Sequence, residues 1–179
     1  MTEKLLLLSC CAPCSVAVIK DLADKKENFA VVFYNPNIAP EEEYKHRLTE
    51  NKRICEAFRI PFIELDYDPA NWHERIKGFE KEPERGKRCD ICFHMRLKKA
   101  MEYARENGFT YVASVLGASR HKDLNQVNGA ANKASHETGI PYKQIEARKM
   151  GMQELRHELI KELEIYEQPY CGCFYSIRP

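Results

Sequence analysis

Seven of the eight cysteines in this chain fall in three short stretches: SCCAPCS from Ser9 to Ser15, RCDIC from Arg88 to Cys92, and CGC from Cys171 to Cys173. Thiolates bind soft metals and exchange electrons as disulfides. Clustered cysteines without an export signal therefore point to a metal or redox centre rather than to structural cross-links. Cys89 and Cys92 stand three apart at the start of a predicted helix, which turns both sulfurs to one side. The positive end of that helix favours thiolate and should lower both pKa values. Cys10 and Cys11 would point to opposite faces in a continuing strand. They serve one centre only if the chain leaves strand geometry there, and Pro13 supplies that exit by restricting its own φ and biasing Ala12 toward extended backbone. The four thiolates of Cys10, Cys11, Cys89 and Cys92 would complete either tetrahedral zinc or a 4Fe–4S cluster. Structural zinc sites draw on two C-x-x-C-like knuckles, which a vicinal pair fits poorly, so the pattern favours the cluster.

Three clustered thiols remain. A disulfide within CGC would close a small, strained ring with a raised reduction potential, Gly172 giving the backbone its freedom; the alternative is a tail that packs two thiols. Cys14 is either a ligand to a second metal or a small apolar residue in the first turn of its helix. Cys55 falls on the apolar face of a long predicted helix and reads as core.

The elements that must position these groups alternate between strand and helix. Apolar runs predict strands at 4–9, 29–34, 61–65, 111–116 and 142–147. Helical periodicity and end signals predict helices at 15–25, 41–58, 90–107, 122–138 and 152–163, with a short one near 72–79. Five short strands separated by helices imply a three-layer α/β fold, with a mainly parallel five-stranded sheet covered on both faces and a cysteine-bearing C-terminal tail. In such sheets ligands sit beyond the carboxyl ends of the strands, and the first strand runs straight into CCAPC. At 179 residues, with no repeat or linker, the chain reads as a single domain over 1–179. A net charge of +1 exerts no global pull on nucleic acid or membrane, so any such affinity must be a local patch. The LLLL run is too short to span a bilayer and lacks the flanks of a signal peptide, so a cytoplasmic location is expected.

SCCAPCS, GKRCDICFHMRL and YEQPYCGCFYS, together with YNPNI and RKMG, resemble the cobalamin-independent epoxyqueuosine reductases (QueH), and the resemblance covers essentially the whole chain. It implies reduction of the epoxide of epoxyqueuosine at the wobble position of tRNA, the last step of queuosine synthesis. It also implies a 4Fe–4S cluster with an adjacent mononuclear iron, an external electron donor, and a fold similar to the adenine-nucleotide hydrolase-like (HUP) enzymes that thiolate tRNA. Carried over by position, Cys10, Cys11, Cys89 and Cys92 become the cluster ligands, and Cys171 with Cys173 a redox-active pair. Cys14 falls where the neighbouring iron takes a further ligand, a position at which members differ between cysteine and aspartate. Nucleotide-hydrolysing relatives of the fold carry S-G-G-x-D-S after the first strand. SCCAPCS has no glycine, so ATP chemistry is not expected.

Removing an epoxide oxygen as water takes two electrons and two protons. A 4Fe–4S cluster commonly exchanges single electrons, which gives the Cys171/Cys173 dithiol a role as a two-electron store, while an iron near Cys14 would act as a Lewis acid. His121, Lys122 and Asp123, after the fourth strand, are candidate proton donors. Lys81, Arg85, Lys87 and Arg88 surround the second cysteine cluster as candidate phosphate contacts, and Arg47, Lys52 and Arg53 form another basic group. Trp72, Tyr170 or Phe174 could stack a splayed anticodon base. The rival readings are a zinc-stabilised RNA-binding module and a general dithiol oxidoreductase acting through CGC alone.

Overall fold

The computed structural model describes residues 2–178 and builds them around four strands, β1 (Leu5–Ser9), β2 (Phe29–Phe33), β3 (Phe62–Glu64) and β4 (Tyr111–Ser114). All pairings are parallel and the order is β3-β2-β1-β4. LLLLS and FAVVF are buried at every position. Strands covered by helices on both faces need this continuous apolar run, and the alternation of a half-exposed strand would leave one face unsatisfied. Helices α1 (Ala12–Asp24), α2 (Glu41–Ala57), α3 (Pro69–Ile76), α4 (Lys87–Glu106), α5 (Leu124–Thr138) and α6 (Met150–Glu162) cover the sheet. Among them α4 packs on α5, and α1 on both α2 and α6. Among the described residues no helix is long and apolar enough to cross a membrane.

Chain order runs outward from β1 through β2 to β3 and then returns to place β4 on the opposite side of β1. The crevice between β1 and β4 is thus where strand order reverses, the place where open α/β sheets take ligands. Two segments flank it: Cys10–Cys14 after β1 and the loop 115–123 after β4.

The expected fifth strand at 142–147 reduces to one bridge, Val112 with Tyr142. β4 is only four residues long and turns at Leu116–Ala118 into a 3-10 turn, so the neighbouring segment runs out of partner. Pro141, with no N–H to give, can only accept from Val112. Four helices start earlier than expected, α1, α3, α4 and α6, and two of those starts, of α1 and α4, matter for the cysteines. Pro13 lies in the first turn of α1, where its fixed φ suits a helix, so Cys14 is already helical. Gly86 precedes α4, which puts Cys89 in its first turn and Cys92 one turn on.

Candidate metal centre

Cys11 holds the N-cap position of α1 with extended φ −155° and ψ 154°, so the chain does leave the sheet between Ser9 and Ala12. The bend is held by buried polar groups: Ser15 Oγ donates to Cys11 O at 2.8 Å, and Asn35 Nδ2 to Ser9 O at 3.0 Å. It brings the sulfurs of Cys10, Cys11 and Cys14 within 4.8 Å of one another, with Cys10 Sγ and Cys11 Sγ at 3.8 Å. Thiols of Cys11 and Cys14 donate to Cys10 and hold its pKa well below the usual thiol range, with help from Lys122 and Arg96. The same sharing raises Cys11 to about 12 and raises Cys14 as well. Three soft donors around one point, one already favoured as thiolate, form a group that could bind a metal ion.

The second arm is the start of α4. Arg96, one turn beyond Cys92, is 1% exposed and directs Nη1 to Cys92 Sγ at 3.9 Å. Its other donors reach Asn35 Oδ1 and Tyr34 O, so the YNPN turn after β2 and the cysteine helix are pinned together. Burial raises the Cys92 thiol, while Arg96 and the Trp72 indole pull it back toward thiolate. Burial also pushes Cys89 up to about 11, against the lowering expected from a helix N-terminus. Desolvation of the charged form here outweighs the helix dipole, which acts only over the first turn.

The third arm is the C-terminal tail. Arg47, 2% exposed, lies beneath it and donates to Cys171 O at 2.7 Å and Tyr170 O at 3.0 Å, with Glu43 Oε1 taking Nε at 2.8 Å. Tyr170 Oη reaches Ala39 O at 2.6 Å and Ala39 N reaches Gly172 O at 2.9 Å, so the tail lies against the turn before α2. Gly172 has φ +141°, and a Cβ there would stand 3.1 Å from Arg47 Nη1 and from Ile38. Close approach and a conformation foreign to L side chains both demand glycine between the two cysteines.

The loop after β4 closes the site. Arg148, from RKMG, donates to the carbonyls of Gly117, Ser119 and Lys122 at 2.6–2.8 Å. Arg85 takes the carbonyls of Arg120 and His121 from the other side. Thus fixed, Lys122 is 7% exposed and sets Nζ 3.7 Å from Cys10 Sγ. Burial alone would lower its pKa, yet Cys10, Cys171 and Cys14 raise it, so the ammonium persists. One cavity is lined by Cys11, Cys14, His121, Lys122, Tyr170 and Cys171. An adjoining apolar one is lined by Cys89, Phe93, Lys122, Cys171 and Cys173. The three sequence clusters thus line adjoining cavities, with Cys171 in both walls, but among the described residues only Cys10, Cys11 and Cys14 stand close enough to share one ion, and Cys89 and Cys92 are not part of that group.

Several expected roles change once the fold is in hand. Trp72 is 1% exposed and cannot stack a base; Phe174, 63% exposed, can. Asp123 caps α5, accepting from Asn125 N at 2.8 Å, so its carboxylate is engaged as an acceptor. Arg88 is 2% exposed and hydrogen-bonds the carbonyls of Glu80 and Glu82, which removes it from any phosphate. Arg85 and Arg47 are occupied by backbone, while Lys52 pairs with Glu64 and Arg53 with Glu50. Lys81 and Lys87 remain exposed. Cys55 is 0% exposed, as a core residue should be. Sequence reasoning passed over Arg96 and Arg148. For Arg96 a signal existed, since i+4 from Cys92 shares its helix face.

A family model described as Epoxyqueuosine reductase QueH matches residues 5–179. A protein of Histophilus somni named Epoxyqueuosine reductase QueH is 49% identical over 98% of this chain and 73% of its own length. Its namesake from Acinetobacter baylyi is also 49% identical, over 98% of this chain and 81% of the relative. Among solved structures, a predicted subunit of a tRNA methyltransferase from Methanocaldococcus jannaschii aligns with TM-score 0.59 at 13% identity, over 87% of this chain and 73% of the other. The U34-tRNA thiolase NcsA from Methanococcus maripaludis, solved with its [4Fe-4S] cluster, aligns with TM-score 0.57 at 14% identity, over 98% of this chain and 61% of the other. At these identities the two structures share the fold.

Proposed function

Because this chain belongs to the epoxyqueuosine reductase QueH family, we propose that it reduces the epoxide of epoxyqueuosine at the wobble position of tRNA to the alkene of queuosine, the last step of queuosine synthesis, in the cytoplasm. The observation that carries the reading is that cysteines of three groups, 163 positions apart at the extremes, line or border adjoining cavities that also hold a buried lysine.

The donor set fits a thiolate-bound metal. The Trp72 indole N–H is buried without an oxygen or nitrogen acceptor and favours the Cys92 thiolate. Arg96 and Lys122 add two buried cations beside Cys92 and Cys10. Cys10, Cys11, Cys89 and Cys92 would hold a 4Fe–4S cluster, and Cys14 an adjacent iron. When bound, these groups supply single electrons and a Lewis acid for the epoxide oxygen.

The chain's own residues account for the remaining chemistry. Oxidation of the Cys171 and Cys173 thiols to a disulfide releases two electrons and two protons. Epoxide, two electrons and two protons give alkene and water, so one dithiol balances one turnover, and an external donor then reduces the disulfide. Gly172, at φ +141°, gives the backbone between the two cysteines the freedom that closing such a disulfide would need. Lys122 keeps its proton in the buried wall, and the exposed imidazole of His121, which lines the same cavity, would hand a proton to the leaving oxygen. Tyr170 in the same wall, or exposed Phe174, would stack the splayed base.

Anaerobic incubation of iron-loaded protein with tRNA carrying epoxyqueuosine, a low-potential reductant and nucleoside mass spectrometry test the reading. Queuosine is expected; none from a fully loaded sample would end it. One observation favours a second reading. A spacing of 3.8 Å between Cys10 and Cys11 is that of thiolates sharing one tetrahedral ion, about 3.8 Å for metal–sulfur bonds of about 2.3 Å. Thiolates on different irons of a cube stand wider. A zinc site in an RNA-binding module predicts colourless protein with one zinc per chain, whereas the cluster predicts broad visible absorption.

A further inference from the structure

Next to the thiol-lined cavity lies a second, of about 340 Å³, whose walls include Cys14, Arg120, Arg156, His157, Glu167 and Gln168. Cys14 and Gln168 belong to both cavities, so the two are neighbours across these side chains. We propose that this second cavity binds the phosphodiester backbone of the RNA beside the reacting nucleotide, with Arg120, Arg156 and His157 as the phosphate contacts. The assignment rests on the tRNA reading above and moves the phosphate grip away from residues 81–88.

Four observations support it. First, Arg120 and His157 are exposed, and neither side chain has an ion-pair or hydrogen-bond partner among the described residues. Arg156 gives Nε to Pro13 O at 2.7 Å and leaves Nη2 3.8 Å from Glu167, the one carboxylate in the wall. The cavity thus carries two guanidinium groups against one carboxylate.

Second, Arg120 is held ready. Arg148 and Arg85 between them bond the carbonyls of residues 117, 119, 120, 121 and 122, which turns that backbone inward and fixes the base from which Arg120 projects. A cation on a rigid loop loses little conformational freedom on binding.

Third, the position suits one nucleotide. A base reaching the cavity of Cys14 and Cys171 brings its own phosphates alongside, and Cys14, Ser119, His121 and Gln168 line both cavities, so the second adjoins the first. The Gln168 side-chain oxygen is buried there without a partner, a polar group able to meet a base or ribose. Fourth, the alternative patch is partly committed: exposed Arg85 and buried Arg88 both serve backbone carbonyls, which leaves Lys81 and Lys87 as its exposed, unclamped cations.

The test is fluorescence anisotropy with a labelled anticodon stem-loop RNA and anaerobically purified full-length protein across a salt series. Arg120→Gln with His157→Gln alters exposed side chains outside both arginine clamps, so the fold should hold, which circular dichroism checks. The pair should lower affinity by about tenfold or more and flatten the dependence of log K on log salt by about one, for the one guanidinium removed. Lys81→Gln with Lys87→Gln should change affinity by less than about threefold on the same reasoning. Unchanged affinity and slope in the Arg120/His157 variant overturn the assignment. So does ATP or inorganic phosphate displacing RNA from the parent protein at low millimolar concentration, which would give the cations to a free anion. Wild-type protein that holds no RNA at any salt fails the tRNA reading itself, an outcome distinct from RNA held normally by both variants.

Discussion

Replacing Arg47 by methionine should release the cysteine-bearing tail while leaving the sheet intact. The side chain is 2% exposed and its two terminal nitrogens each hold one tail carbonyl, of Cys171 at 2.7 Å and Tyr170 at 3.0 Å. Hydrogen bonds from a charged donor contribute about 1.5–3 kcal/mol each, so the pair is worth roughly 3–6 kcal/mol. Methionine fills the volume of the stem but offers no donor. Two anchors survive, Tyr170 Oη to Ala39 O and Ala39 N to Gly172 O. The lower end of the range therefore applies to local opening, which still raises the open population on the order of a hundredfold at about 1.4 kcal/mol per factor of ten. Hydrogen exchange by mass spectrometry on peptides covering 166–178 reads this directly, and alkylation of Cys171 by iodoacetamide reads it a second way. Peptides from β1 and β2 serve as the internal control. Lysine should not rescue, because a point-like ammonium cannot bridge two carbonyls and Glu43 as the planar guanidinium does. Exchange in 166–178 that matches the parent, in a variant whose core exchange is also unchanged, would refute the claim that Arg47 docks the cysteine-bearing tail.

Other outcomes follow from the same geometry. Arg148→Met should free the loop 117–122, giving faster exchange there and at least a tenfold loss of turnover, with little change in Tm; three lost carbonyl contacts are the cause. Cys10→Ala should strip bound metal, measured by elemental analysis, whereas Cys55→Val should retain it because Cys55 is buried in the core. In metal-free protein, burial raises Cys55 to about 12 and Cys89 to about 11, whereas unfolded thiols ionise near ~8.5. With a raised folded pKa these groups contribute stability that is full below ~8.5 and lost as pH climbs through roughly 9–12; Tm should fall across that window, and a flat or rising Tm would contradict it. Cys10, shifted the other way, contributes the opposite slope below ~8.5. Gly172→Ala should mimic Arg47→Met in exchange of the tail, because φ of +141° strains an L side chain and its Cβ would crowd the guanidinium at 3.1 Å.

Much of this protein was legible in its sequence for reasons that lie within short stretches. An unbroken apolar run such as LLLL or AVVF suits only a strand buried on both faces. Pro13 marked the exit from β1, although it began the helix sooner than the periodicity suggested. The clustered cysteines pointed to a soft-ligand site, and three of them, Cys10, Cys11 and Cys14, do come within 4.8 Å of one another. The fifth strand was misjudged because a strand requires a partner, and the length of β4 is settled by where the chain turns after Ser114.

The arginines divide differently. By type alone, Arg47, Arg85, Arg88, Arg96, Arg120 and Arg148 are equivalent cations. Arg47 became a clamp because folding brought it beneath carbonyls 123 and 124 positions away, and Arg88 because the loop before α4 turned its carbonyls inward. Arg120 kept its charge for solvent because only its backbone was taken. Residue types and their local spacing thus fixed which chemistry the chain can perform. Which cations hold the site together and which are left to meet a substrate depended on backbone groups distant in sequence, and those are brought to a side chain only by the finished tertiary fold.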